Sequence, residues 1–338
     1  MRPPAFWDAS PRHPFARALA PVGALYGHFT AARMDRPGTT GSCPVLCIGN
    51  LTLGGAGKTP TALAIAAMLH DLGARPAFLT RGYGGSLAGP VLVDHAHHNA
   101  AQVGDEPLLL ARAATTVVSR DRPAGARLCA ETGASVIVMD DGLQNPNLAK
   151  DLSLAVVDAG VGIGNGLPFP AGPLRVPLER QWRHVDGLVL VGEGEAGERV
   201  VVLARDQGLP VLRARLLPDL AERHMAGRRL LAFAGIGRPE KFFATLQDTG
   251  ADVVAQRSFP DHHAYREGEL AGLNAEAKRL GASLITTQKD LVRLPAAFAE
   301  RVEVLAVSLF FESAGDVLPS LRQLISVSRA PWRSAERR

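Results

Sequence analysis

Cysteine and lysine are the scarce residues in this chain. Three cysteines, Cys43, Cys47 and Cys129, stand among 338 residues, too few and too irregularly spaced for a disulfide framework. They read as small buried apolar side chains in a reducing compartment, the first two on one face of a strand. Lysine supplies only five of 37 basic residues: Lys58, Lys150, Lys241, Lys278 and Lys289. An ammonium and a planar guanidinium are not interchangeable, so a lysine at a chemically meaningful position gains weight. No run of about 18 apolar residues occurs, which excludes a membrane-spanning helix. Arg12, Arg17 and several prolines interrupt the N-terminus, leaving no apolar stretch for a secretory signal, and the protein is expected not to be exported.

What is present is ample apolar content, 46%, in a chain long enough for about two domains. That composition excludes a disordered chain. The net charge of +4 is unevenly placed. Residues 1–36 carry five Arg against two Asp and residues 319–338 five Arg against one Glu, so the stretch between is slightly acidic.

From Pro44 the sequence alternates short β-rich runs with helix-length segments. Strands are predicted at 44–50, 75–80, 115–119, 135–140, 154–158, 187–191 and 211–217, with helices over 58–72, 106–114 and 123–132. Such alternation argues for βαβ units and a mostly parallel sheet. A polar stretch near residue 218 leads to a second, smaller set: a strand from Leu230, a helix over 240–249, a strand over 252–257, a helix over 268–280, then SLITT and one strand over VEVLAVSLF. Before all this, Phe15, Leu19, Val22, Leu25 or Tyr26, and Phe29 recur at helical spacing with Arg12, Arg17 and Arg33 around them. Pro21 and Gly23 suggest a kink. The helix either packs its apolar face on the domain or lies in a lipid interface.

The strongest chemical signal is Thr52-Leu53-Gly54-Gly55-Ala56-Gly57-Lys58-Thr59, between a predicted strand and a predicted helix. That is the setting of a phosphate-binding loop: backbone N–H groups wrap phosphate oxygens at a helix N-terminus, Lys58 bridges β- and γ-phosphates, and the Thr59 hydroxyl ligates Mg²⁺. Thr52 stands where the usual pattern has its first glycine. The apolar run Val136–Met139 then ends in Asp140-Asp141-Gly142, delivering carboxylates for the metal to the same sheet edge.

Other residues are ambiguous alone. Asp105, in Gly104-Asp105-Glu106-Pro107, has the position of a helix cap. Asp261-His262-His263 fits a metal fragment, a catalytic histidine with an orienting carboxylate, or a solvated turn. Asp94-His95-Ala96-His97-His98 reads as a solvated face. Thr287-Gln288-Lys289-Asp290 superficially resembles a guanine-reading motif, but its Lys and Asp are adjacent and it is discounted.

Taken in order, G-N-L-T-L-G-G-A-G-K-T-P (49–60), T-R-G-Y-G-G (80–85), V-G-D-E-P (103–107), D-D-G-L-Q (140–144), G-N-G (164–166), A-G-P-L-R (171–175), A-F-A-G-I-G-R-P-E-K-F-F (232–243), F-P-D-H-H (259–263) and Q-K-D-L-V-R (288–293) resemble the tetraacyldisaccharide 4′-kinases of lipid A biosynthesis. The expected architecture is α/β: a P-loop NTPase-type domain over 37–217, a smaller α/β domain over 218–328, an amphipathic membrane-associating segment over 1–36 and a basic tail over 329–338. The resemblance implies transfer of the γ-phosphate of ATP, with Mg²⁺, to the 4′-hydroxyl of tetraacyldisaccharide 1-phosphate, giving lipid IVA, by an enzyme lying peripherally on the cytoplasmic face of the inner membrane. By the same resemblance Lys58 and the 52–59 loop hold nucleotide, and Thr59, Asp140 and Asp141 hold the metal. Asp105 and His262 form a catalytic dyad with Asp261 beside it, and Arg81, Tyr83, Arg122 and Arg175 lie near substrate or nucleotide. Asn145, Val176 and Gln288 depart from the family's usual His, Glu and Glu. No nucleic-acid partner is expected. The rival is an assembly or switch ATPase that acts on a protein partner.

Overall fold

A computed structural model describes residues 4–219 and 225–327. The expected basic tail over 329–338 lies outside the described residues. A single turn at Ala5–Trp7 precedes α1 (Pro14–Met34). The chain then runs through β1 (Val45–Asn50), α2 (Lys58–Asp71), β2 (Pro76–Thr80), β3 (Val91–Leu92), α3 (Ala100–Val103), α4 (Asp105–Leu110), β4 (Thr116–Val118), α5 (Arg122–Glu131) and β5 (Val136–Asp140). There follow β6 (Leu152–Asp158), α6 (Leu178–Trp182), β7 (Gly187–Val191), α7 (Glu195–Asp206) and β8 (Val211–Pro218). A second series comprises β9 (Arg229–Ala234), α8 (Pro239–Asp248), β10 (Asp252–Ser258), α9 (Glu267–Leu280), β11 (Ser283–Thr287), α10 (Gln288–Leu291), α11 (Ala296–Ala299) and β12 (Val302–Leu305). The chain closes with β13 (Val307–Phe311) and α12 (Ala314–Ile325).

Two sheets result. The larger has the order β13-β8-β7-β6-β1-β5-β2-β4-β3 and the smaller β10-β9-β11-β12. Every pairing is parallel except at the two edges of the larger sheet, where β3 and β13 run antiparallel to their neighbours. All six residues of β1 are buried, as befits a central parallel strand covered on both faces. Val45 and Cys47 enter one apolar cluster with Cys129, α1 and α7, whereas Leu46 and Ile48 enter the other with α2 and α12. The three cysteines are thus buried apolar residues, as composition implied.

Two expectations change. The run VEVLAVSLF is not one strand: it breaks at Ala306, β12 completing the small sheet and β13 crossing back to pair with β8. With α12 packed on the larger sheet, the end of the segment assigned to the smaller unit joins the first. Alternation marks which residues share a face, but two strands one residue apart carry the same pattern whichever sheet each joins.

The second change concerns α1. It is one unbroken helical segment with Pro21 inside, started by Pro14 after the cap residue His13, whose Nδ1 accepts from Phe15 N. The face it buries is not the large apolar stripe but a mostly small one: Ala16, Gly23, Gly27 and Ala31, with Met34 at the end. A Cβ at Gly23 would stand 2.8 Å from the Pro168 carbonyl oxygen and one at Gly27 2.9 Å from Pro177 Cδ, so glycine permits the close approach. Phe15 (66% exposed), Val22, Leu25, Tyr26 and Phe29 (66%) therefore face outward. Among the described residues, no helix is long and apolar enough to cross a membrane.

Candidate active site

The reversal of strand order on either side of β1 opens a crevice at the carboxyl ends of the strands, where ligands bind in open α/β sheets. The 51–57 loop leaves β1 there and enters α2. Gly57, at φ 88°, caps the helix in a left-handed conformation that a side chain would strain. Around Gly54 and Gly55 an added Cβ would meet nothing within 4 Å, so the loop backbone is open to a ligand. Its outer side is pinned: Leu53 N donates to the Pro173 carbonyl (2.8 Å), Arg175 Nε to the Thr52 carbonyl (3.0 Å) and Asn50 Nδ2 to the Gly54 carbonyl (2.9 Å).

Strand β5 lies beside β1, with Asp140 in register with Ile48, so Asp140 and Asp141 emerge next to the loop. Asp140 is 1% exposed and neither carboxylate oxygen has a hydrogen-bond partner among the described residues; Asn50 Oδ1 is likewise buried and unpartnered there. Burial, with the charges of Glu106 and Asp141, pushes the Asp140 carboxyl up to about 7 against the pull of Lys58. A buried carboxylate without donors is the arrangement that a cation relieves. Together with the buried Thr59 hydroxyl, it fits the Mg²⁺ that accompanies nucleotide phosphates. Asp141 differs. Burial acts to raise its carboxyl, but Lys58 (Nζ 3.7 Å from Oδ1) and Arg175 (3.0 Å) outweigh that and hold it below the usual range.

Asp105 opens α4, whose C-terminal end leads to β4, so its side chain reaches the same sheet edge. It is not a simple helix cap. Its buried Oδ2 faces His262 Nδ1 at 3.1 Å, bringing a residue 157 positions away, from the turn after β10, into the site. The two sheets supply one partner each. Burial would raise the Asp105 carboxyl, but the His262 hydrogen bond and the charges of Arg293 and Lys289 hold it well below the usual range. The same hydrogen bond raises the His262 imidazole above its ordinary value, against partial burial. Asp261 Oδ2 is 3.9 Å from His262 Nε2, and the exposed Tyr83 ring lies 5.7 Å from the imidazole.

The remaining candidates divide. Arg81 is exposed beyond the end of β2. Arg175 is bound to the loop and to Asp141, with Nη1 on Gln144 Oε1 at 3.3 Å. Arg122, 2% exposed, sits behind β5, its guanidinium 3.4 Å from the Asp140 and Ser119 carbonyl oxygens. His263 is turned away onto Glu269 and the Phe259 ring. The 94–98 histidines form an exposed turn held by Asp94. Among the departures, Val176 is buried core and Asn145 caps Asn147 N, while Gln288 Oε1 accepts from Val307 N at 3.4 Å.

The family model described as tetraacyldisaccharide-1-P 4′-kinase matches residues 15–326. The chain belongs to that family. It is 67% identical over 312 residues to the tetraacyldisaccharide 4′-kinase of Methylorubrum populi, covering 92% of this chain and 95% of that one. It is 60% identical to the Methylobacterium nodulans protein of the same name, over 98% of each. A crystal structure of LpxK from Aquifex aeolicus in complex with ATP superposes with a TM-score of 0.72 at 26% identity, covering 92% of this chain and 99% of that one.

Sequence reasoning missed three side chains in this candidate site. Arg293 reaches Asp105 Oδ2 with Nε (3.0 Å) and Nη2, Lys289 Nζ meets Glu106 Oε1 at 2.6 Å, and Asp290 anchors Arg293. All stand in the Q-K-D-L-V-R motif. Its resemblance marked the segment, but which carboxylate each cation would meet was not readable from spacing.

Proposed function

We propose that this kinase transfers the γ-phosphoryl group of ATP to the 4′-hydroxyl of a tetraacyldisaccharide 1-phosphate held at a membrane surface. The supporting observation is the convergence at one sheet edge of a phosphate loop open to a ligand, an unpartnered buried carboxylate, and an Asp–His pair assembled from both sheets.

The loop N–H groups and Lys58 hold the nucleotide phosphates, and Lys58 and Arg175 offset charge near the transferred group. Thr59 and Asp140 would hold Mg²⁺, with Asp141 fixed beside them by Arg175. Mg²⁺, when bound, neutralises charge on the β- and γ-phosphates. In a loose phosphoryl-transfer transition state the hydroxyl proton leaves late, so the Asp105–His262 pair mainly orients the hydroxyl and receives that proton. Tyr83, whose ring lies beside His262, and Arg81 contact the acceptor. Because Asp105 and His262 come from different sheets, we read them as two units that complete the site on closing and so keep water from the γ-phosphate.

The outward apolar face of α1, flanked by exposed Arg17 and Arg33, supports peripheral attachment to the inner membrane's cytoplasmic face. Labelled γ-phosphate from ATP, offered with tetraacylated disaccharide 1-phosphate in detergent micelles, should appear in a doubly phosphorylated lipid. ATP hydrolysis stimulated by a protein partner, with no phosphorylated lipid, would identify the rival ATPase.

A further inference from the structure

The Arg293 side chain is 5% exposed, fastened to the smaller sheet on one side and to Asp105 on the other. Its Nη1 donates to Asp290 Oδ1 (3.1 Å) and to the Gly235 carbonyl (2.7 Å). Asp290 is fully buried and held by Gly235 N (2.9 Å), the Tyr265 hydroxyl (2.8 Å) and the Thr287 hydroxyl (2.7 Å). The guanidinium is therefore fixed before it meets Asp105. Asp105 Oδ2 then accepts from Arg293 Nε, Arg293 Nη2 and His262 Nδ1, while Oδ1 accepts from Glu106 N (3.0 Å). With its side chain 3% exposed, Oδ2 taken up by three donors and Oδ1 by Glu106 N, Asp105 offers an incoming hydroxyl no more than one buried lone pair, on Oδ1. The His262 side chain, 34% exposed, leaves Nε2 with no partner among the described residues closer than Asp261 at 3.9 Å.

We propose that Arg293 is a positioning residue for phosphoryl transfer: it clamps Asp105 as the ionic partner of His262 Nδ1, so that His262 Nε2 takes the proton of the acceptor hydroxyl. This rests on the kinase reading above. A lone pair of the acceptor oxygen forms the new O–P bond, the bridging P–O bond breaks with its electrons leaving on ADP, and the proton passes late to Nε2 while the O–H electrons stay on the oxygen. The charged groups facing the imidazole are Asp105 from α4, Asp261 from its own turn and Lys289 from α10, the last neutralised by Glu106. Arg293 is the cation bonded to Asp105.

The test is the pH dependence of kcat in the full chain with ATP and micellar lipid. Removing the cation in Arg293→Gln increases the pair's affinity for a proton, so the acidic limb should move up by roughly one pH unit. At neutral pH kcat should fall about tenfold or more while KM for ATP holds. Arg293→Lys should return the limb to its wild-type position. An unmoved limb with kcat within about twofold of wild type would overturn the proposal. NMR titration of the His262 ring gives a second readout that needs no turnover: the imidazole should titrate higher in Arg293→Gln than in wild type, and equal values refute the clamp. If Arg293→Gln does not fold, the Arg293→Lys profile decides, a limb displaced despite the retained charge being contrary. Wild-type protein that forms no phosphorylated lipid refutes the kinase reading, leaving the titration to judge Arg293.

Discussion

At the scale of single residues, the site separates its carboxylates by environment. Asp140 is buried without donors and drawn toward neutrality, whereas Asp105 is buried among donors and held ionised. The first suits a cation and the second a histidine. His262→Ala is expected to lower kcat by about a hundredfold while leaving KM for ATP within about twofold. Near-normal kcat in steady-state assays would remove His262 from the chemistry. The pair also has a stability signature. Asp105, held low, stabilises the fold above about pH 4 and loses that contribution as pH falls through its folded value. His262, held high, contributes fully below about pH 6.5 and loses its contribution as pH rises through its folded value. Thermal melts of the nucleotide-free protein should thus decline from pH 6 to 8 more steeply in wild type than in His262→Ala. Parallel curves would contradict the assignment.

At the scale of elements, α1 inverts the usual arrangement of an amphipathic helix. Its small residues meet the domain, Asp35 at its end is bound by Arg180 and by His184 at 2.9 Å, and its aromatic residues face out. The two faces should therefore respond differently to substitution. Gly27→Leu must displace Pro177 and is expected to cost about 1–3 kcal/mol in denaturant unfolding. Phe15→Ser with Phe29→Ser removes only surface ring contacts with Phe6, His13 and His28 and should change stability by no more than about 0.5 kcal/mol. The latter pair should reduce sedimentation with anionic vesicles, since apolar area and basic residues together set interfacial binding. Unchanged vesicle binding would show that this face serves another purpose. The sequence showed that α1 had an apolar stripe. It could not show that a glycine and alanine stripe would win the contact with the domain, because helical spacing describes both stripes equally well.

At the scale of the molecule, ion pairs among the described residues join the two sheets at two places. Asp105 and Glu106 meet Arg293 and Lys289, and Asp158, at the end of β6, meets Arg238 (2.9 Å) and Lys241 at the start of α8. Asp158 lies away from the proton-accepting pair, so its pairing bears on how the units hold together. Asp158→Asn is expected to raise acceptor-independent ATP hydrolysis and to speed amide exchange around residues 238–243, as a less firmly closed site admits water. Hydrolysis and exchange both unchanged would mean that this contact is incidental to closure.

The amino-acid sequence by itself determined the local chemistry. The glycine loop with Lys58 and Thr59, the apolar strand ending in Asp140 and Asp141, and most strand and helix positions follow from short-range periodicity and turn chemistry, which act over a few residues. Even the scarcity of lysine proved informative, since Lys58 and Lys289 both reach carboxylates near the site. Tertiary structure alone decided the rest: that Asp105 finds Arg293 across 188 positions, that β13 returns to the larger sheet, and that α1 turns its aromatic face outward. Each of these is a choice between partners with equivalent local patterns. Such choices are made by close packing and by pairing of buried charge, which exist only once distant segments have come together.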